Sequence, residues 1–205
     1  MTMRPHGIAL GVLAGGAGRR TGGRDKGWIM HAGRPAVALL VDALRADVDQ
    51  VLISANRNAE RYGALGRVVP DSTLRSTNDG CLGDPYQGPL TGVAALLAAC
   101  RLPLLLTVPV DIECIPPACV ARLHAALTGE YEAAVALDDD GIQPLLALYR
   151  GALAGAAAAA FDSGERSVRR WQAGLRIASV AFTGMRVGNR NTLAATAAIL
   201  PAAQP

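Results

Sequence analysis

Aromatic side chains are scarce in this sequence, which holds two Phe, two Trp and four Tyr among 205 residues. Its core must therefore be aliphatic. Charge is sparse as well: Asp, Glu, Lys and Arg make up 18% against 51% hydrophobic residues, a balance that excludes an intrinsically disordered chain. The formal net charge of +3 falls short of the basic balance a general nucleic-acid binder needs, while anionic small molecules remain open. The four cysteines, at 81, 100, 114 and 119, form no Cys-x-x-Cys pair and no zinc spacing, so they read as reduced thiols of a cytosolic protein. No apolar run reaches the roughly 18 residues of a membrane span, because Arg101 interrupts the best candidate, residues 93–110. The apolar stretch 8–17 after Arg4 is short and glycine-broken, and Arg19, Arg20, Arg24 and Lys26 follow it at once. A secretory signal is therefore not expected, and the protein is assigned to the cytoplasm. Length excludes a small disulfide-stapled scaffold and suits one domain with a sizeable core.

What the chain does have is glycine, 23 residues of it, with a cluster between 15 and 27 beside arginines. It also has short aliphatic runs at 8–13, 50–54, 67–70, 103–108 and 133–137, each bounded by turn residues or charges. Such runs are expected of strands buried on both faces. Between them, residues 36–46, 90–100 and 117–127 place apolar side chains at three-and-four spacing, as amphipathic helices do, with Pro117 suited to a first turn. Further strands are expected at 143–150 and 176–182, an alanine-rich helix at 151–161 and a last helix at 193–200. Alternating strand and helix predicts one α/β domain over 1–205, a parallel sheet covered on both sides. Residues 72–88 are the exception, a long polar loop after a strand end and so on the ligand-bearing edge of such a sheet.

The glycine cluster follows the first strand directly, as Leu13-Ala14-Gly15-Gly16-Ala17-Gly18-Arg19-Arg20-Thr21-Gly22-Gly23-Arg24-Asp25-Lys26-Gly27. A turn of this kind can bring backbone N–H groups against phosphate oxygens, since no Cβ blocks the approach, and the arginines with Lys26 supply counter-charge. It is neither a dinucleotide fingerprint, because Thr21 stands where a third glycine is needed, nor a P-loop, because no Gly-Lys-Ser/Thr follows. Taken alone it could equally be a flexible basic loop. Asp111 follows the run 104–110 and so points into the crevice at the carboxyl end of a central strand, where a hard cation with a nucleotide would need it. Glu113 is a candidate second ligand, or a residue that merely solvates the loop. Asp71 ends another strand on the same edge, Gly88-Pro89-Leu90-Thr91-Gly92 opens a helix, and Asn189 with Asn191 places two amides two residues apart. His6, His31 and His124 are scattered and read as structural or surface residues.

In combination these segments resemble the molybdenum cofactor guanylyltransferases. The resemblance rests on residues 13–27 ending in Asp25-Lys26-Gly27, then Ser54-Ala55-Asn56-Arg57-Asn58, Pro70-Asp71, Gly88-Pro89-Leu90-Thr91-Gly92, Pro109-Val110-Asp111, Gln143-Pro144-Leu145 and Asn189-Arg190-Asn191-Thr192, in order over nearly the whole chain. It implies a three-layer α/β/α sandwich with a mostly parallel central sheet, the Rossmann-like nucleotidyltransferase fold. It implies GMP transfer from GTP to molybdopterin carrying molybdenum, with Mg²⁺ as cofactor and pyrophosphate released. The partners it implies are GTP, molybdopterin or its molybdenum form, and proteins of molybdenum insertion and molybdoenzyme maturation, with no nucleic acid and no membrane. On matching positions, Leu13, Ala14, Gly15 and Gly16 would hold the nucleotide together with Ser54, Asp71 and Gly88. Lys26 and Arg20 would act on the phosphates, Asp111 would hold the metal, and Asn189 and Asn191 would line the molybdopterin half. The chain departs from the family pattern at Ser54, usually Asn, at Val110-Asp111-Ile112-Glu113, usually Cys-Asp-Thr-Pro, at Thr21, usually Met, and in the length of its 72–88 loop. A cytidylyltransferase or sugar-phosphate nucleotidyltransferase, or a carrier without catalysis, are the alternatives.

Overall fold

The computed structural model describes residues 5–16, 25–71 and 88–188. Arg20, Asn189, Asn191, nearly all of the 72–88 loop and the expected helix at 193–200 lie outside the described residues. Nine strands and six helices occur in the described chain: β1 (Ile8–Leu13), β2 (Met30–His31), β3 (Arg34–Pro35), α1 (Ala36–Leu44), β4 (Gln50–Ser54), α2 (Ala59–Gly63), β5 (Arg67–Val69), α3 (Pro89–Ala99), β6 (Leu104–Pro109), α4 (Cys119–Ala126), β7 (Ala133–Asp138), β8 (Gly141–Arg150), α5 (Ala154–Asp162), α6 (Val168–Gln172) and β9 (Ile177–Ala181).

Seven strands make one sheet in the order β5-β4-β1-β6-β8-β7-β9. Two aliphatic layers cover it. Ile8, Leu10 and Val12 of β1 pack with Val37, Leu40 and Val41 of α1 and Leu123 of α4. Ala9 faces the opposite layer, with Leu90, Val93 and Leu96 of α3, Ala157 of α5 and Trp171 of α6. Each buried Leu, Ile or Val contributes about 1.5–3 kcal/mol, which is why β1 and β6, buried almost end to end, hold the centre. The three layers expected from the resemblance are present.

β1 pairs in parallel with β4 and β6, and Leu13 stands level with both Ser54 and Pro109. The three strands therefore end together, and the chain turns out of them side by side. Ala14 N–H donates to the Ser54 carbonyl at 2.9 Å, and Val110 N–H to the Leu13 carbonyl at 3.1 Å. Sheet order reverses at β1, so this is the edge where open α/β sheets place ligands.

β8 is the one strand of the seven that runs against the others, pairing antiparallel with both β6 and β7. Asp138-Asp139-Asp140-Gly141 closes a tight hairpin, with Gly141 at φ 112°, and a hairpin can only pair antiparallel. Its first residues consequently lie at the ligand edge. Between Val135 opposite Ala147 and Ala136 opposite Gln143 the register jumps, so residues 144–146 bulge from the ladder.

One sequence expectation shifts. The helix placed at 117–127 starts at Cys119, after Ala118 in the left-handed region at φ 51°. Pro117 precedes the helix instead of opening it. Cys100, Cys114 and Cys119 form no disulfide among the described residues, and burial pushes the Cys119 thiol up to about 12. Among the described residues no helix is long and apolar enough to cross a membrane.

Candidate active site

Lys26 and Asp111, 85 residues apart in sequence, meet at the joint end of β1 and β6, with Nζ 2.6 Å from Asp111 Oδ2. Both side chains are about one-fifth exposed, at 23% and 18%. Lys26 opens a short 3-10 turn, Lys26–Trp28, which Asp25 caps by accepting from Gly27 N–H at 3.1 Å. The same carboxylate takes the Tyr62 hydroxyl on Oδ1 at 2.6 Å and the Asn58 amide on Oδ2 at 2.8 Å. Asp111 Oδ1 receives no hydrogen bond among the described residues, so one hard oxygen remains for a cation. No cluster of three metal-ligating side chains occurs among those residues. That donor set fits a cation completed by substrate phosphates and water rather than a protein cage.

A second carboxylate lies behind Gly15. Asp71, only 7% exposed, accepts from the Ser54 hydroxyl on Oδ1 and from the Asn56 amide on Oδ2 at 3.1 Å, while its own N–H donates to Asn56 Oδ1 at 2.9 Å. Burial pushes its pKa up, and the Ser54 and Asn56 hydrogen bonds offset part of that rise. A Cβ at Gly15 would come within 2.3 Å of Asp71 Oδ2, and one at Gly92, in the first turns of α3, within 2.9 Å of Ser54 Oγ. Backbone thus closes directly over the carboxylate from two sides.

The sequence profile of the MobA-like NTP transferase domain matches residues 10–178. The molybdenum cofactor guanylyltransferase of Burkholderia vietnamiensis is 40% identical over 186 residues, covering 85% of this chain and 86% of that one. The chain belongs to the molybdenum cofactor guanylyltransferase family. Molybdopterin-guanine dinucleotide biosynthesis protein A from Archaeoglobus fulgidus shares the fold at a TM-score of 0.65, with 20% identity, 84% of this chain and 83% of that chain covered. A Mycobacterium tuberculosis protein solved in complex with manganese matches at 0.62, with 17% identity, covering 90% of this chain and 93% of its own.

Of the positions singled out from the resemblance to the guanylyltransferases, the structure brings Leu13, Ala14, Gly15, Gly16, Lys26, Ser54, Asp71 and Asp111 to one sheet edge. Gly88 caps α3, at φ 99°, against Arg166. The Glu113 carboxylate lies against Gly188, and its N–H donates to the Val187 carbonyl at 3.1 Å.

Asp138, not singled out from the sequence, ends β7 on the same edge. It accepts from Val187 N–H at 2.7 Å and from the Gln143 amide at 2.9 Å. Burial alone would raise its pKa, but these hydrogen bonds with the Asp140 and Gly141 N–H groups outweigh that and hold it below the usual carboxylate range. The signal that could have found it is the one applied to Asp71 and Asp111, a carboxylate at the carboxyl end of a parallel strand. Tyr62 carried no such signal.

Two outcomes follow from Asp71. Gly15→Ala would force a Cβ against a carboxylate held on both oxygens, and is expected to cost about 1–3 kcal/mol, read as a lowered melting temperature. The native state holds the Asp71 proton more tightly than the unfolded chain does, so it binds more protons between the ordinary carboxylate pKa and the raised one. The Asp71 contribution therefore lowers stability as pH rises through that window. Thermal melts across the carboxylate range should show Asp71→Asn gaining on the wild type as pH rises, and a constant difference would remove the assigned shift.

Proposed function

We propose that this nucleotidyltransferase transfers GMP from GTP to the terminal phosphate of molybdopterin, in its free or molybdenum-bearing form, with Mg²⁺. The observation that carries the reading is the Lys26–Asp111 contact at the level ends of β1 and β6, beside the Gly15-Gly16 turn. A phosphate oxygen of the pterin attacks the α-phosphorus of GTP, the bond from that phosphorus to the bridging oxygen breaks, and pyrophosphate leaves. That oxygen is already anionic, so no general base is needed and catalysis reduces to placement and charge.

Lys26 supplies positive charge for the phosphates from an ammonium that also donates to Asp111 Oδ2. A bound divalent cation would neutralise phosphate oxygens, and Asp111 is the ligand this chain offers it; the manganese complex of the M. tuberculosis fold relative supports a metal of this class. Asp71, when ionised, is an acceptor only, which suits the two adjacent donors, N1–H and N2–H, that guanine presents beside its O6 acceptor; adenine and uracil present no such pair. Asn189 and Asn191 are the proposed molybdopterin-side residues and Arg20 a second phosphate-side cation. Soluble cytoplasmic function accords with pterin and nucleotide substrates.

The test is thermal stabilisation by GTP, CTP, ATP and UTP with Mg²⁺, joined to pyrophosphate release when molybdopterin is supplied. GTP should raise the melting temperature most, since a ligand of the native state alone stabilises in proportion to its affinity. A preference for CTP would transfer the chain to a cytidylyl reaction, and GTP binding without pyrophosphate would make it a carrier.

A further inference from the structure

Lys26 reaches Asp111 from a turn of only three residues, and such a turn has little stability of its own. What seats it comes from the segment just after β4. Tyr62 is fully buried on α2, and its hydroxyl donates to Asp25 Oδ1 at 2.6 Å. Asn58, in the left-handed region at φ 53°, donates to Oδ2 at 2.8 Å, and Arg57 Nε stands 3.7 Å from the same oxygen. A Cβ at Gly27 would lie 2.3 Å from the Tyr62 oxygen, so the turn rests directly on the phenol. The Trp28 ring packs on Tyr62 at 5.2 Å between centroids, under the Arg61 guanidinium at 3.9 Å. Burial, then the Asp25 hydrogen bond, pushes the Tyr62 pKa up, so the hydroxyl stays a donor.

We infer that Tyr62 and Asn58 are positioning residues for Lys26, acting through the Asp25 carboxylate to fix the turn that aims Nζ at the carboxyl edge. None of the three need touch substrate. Their oxygen and amide instead remove the turn's freedom to rotate Lys26 away, so the entropic cost of ordering it is met by folding and not by substrate binding. The inference rests on Lys26 acting on phosphates, as proposed above.

Tyr62→Phe deletes one oxygen and keeps the ring, and Asn58→Gly deletes the amide while keeping the backbone region that Asn58 occupies. Binding of inorganic triphosphate with Mg²⁺ is measured for each, with Lys26 intact and in a Lys26→Ala background. Each variant is expected to weaken binding about tenfold when Lys26 is present and to change it little when Lys26 is absent, because the mutations act through one shared group. Equal losses in both backgrounds, or no loss with Lys26 present, would overturn the inference. Pyrophosphate release by the wild type is followed separately. If the wild type releases none, the guanylyltransferase reading fails, while the triphosphate comparison still decides the roles of Tyr62 and Asn58.

Discussion

Asp111→Ala lowers pyrophosphate release by on the order of 10³-fold, the scale of losing one transition-state charge contact, with the fold intact. The carboxylate stands just past the end of β6, level with the glycine turn after β1, and its Oδ2 lies 2.6 Å from Lys26 Nζ. Removing it takes away the proposed cation ligand and the group that holds Lys26 over the crevice. The stability cost is small. Both side chains keep about one-fifth exposure, and a lone ammonium there can turn toward water. Asp111→Asn separates the two contributions, because the amide keeps a hydrogen-bonding oxygen near Lys26 but carries no charge for a hard cation. It should lose nearly as much turnover as alanine. Turnover near the wild-type level in either variant, with circular dichroism melts unchanged, would remove Asp111 from the chemistry.

Lys26→Ala is the second large loss, on the order of 10²-fold or more in the same assay, with weakened GTP binding alongside it. The ammonium sits where the triphosphate is proposed to lie, and the turn beneath it is held by Asp25, Tyr62 and Asn58 irrespective of the lysine side chain. Deletion should therefore leave the melting temperature of the unliganded protein almost unchanged. Lys26→Arg restores charge but not function to the same degree. A planar fork is longer and wider than a point ammonium, and Asp25 and Tyr62 fix where its stem begins. Full activity in the alanine variant would mean that the phosphates are held elsewhere.

Much of this was legible in the sequence because the physics was local. Strands buried on both faces must be continuous aliphatic runs, and 8–13, 50–54 and 133–137 were visible for that reason. The glycine turn and Asp111 were visible because strand ends on a parallel sheet carry function. Other features were hidden because they arise only on packing. The five residues of α2 and of α6 span little more than one turn each, too little to display a helical period. β8 inserts between β6 and β7 and so separates two strands that are sequential neighbours. Tyr62 gains its role from a contact across 37 residues, and nothing near it in the chain marks it as different from any core tyrosine. Asp138 reads as a turn former in sequence, and only the structure shows it tying Gln143 to Val187.

The central claim is that one triphosphate spans the edge from Asp71 to the Lys26–Asp111 pair. A crystal structure of the protein with GTP and Mg²⁺ tests it most directly. The account predicts guanine donors on Asp71, phosphate oxygens against Lys26 Nζ and the Gly15-Gly16 turn, and the cation on Asp111. A triphosphate bound away from residues 15–26, with Asp111 free of metal, would contradict it.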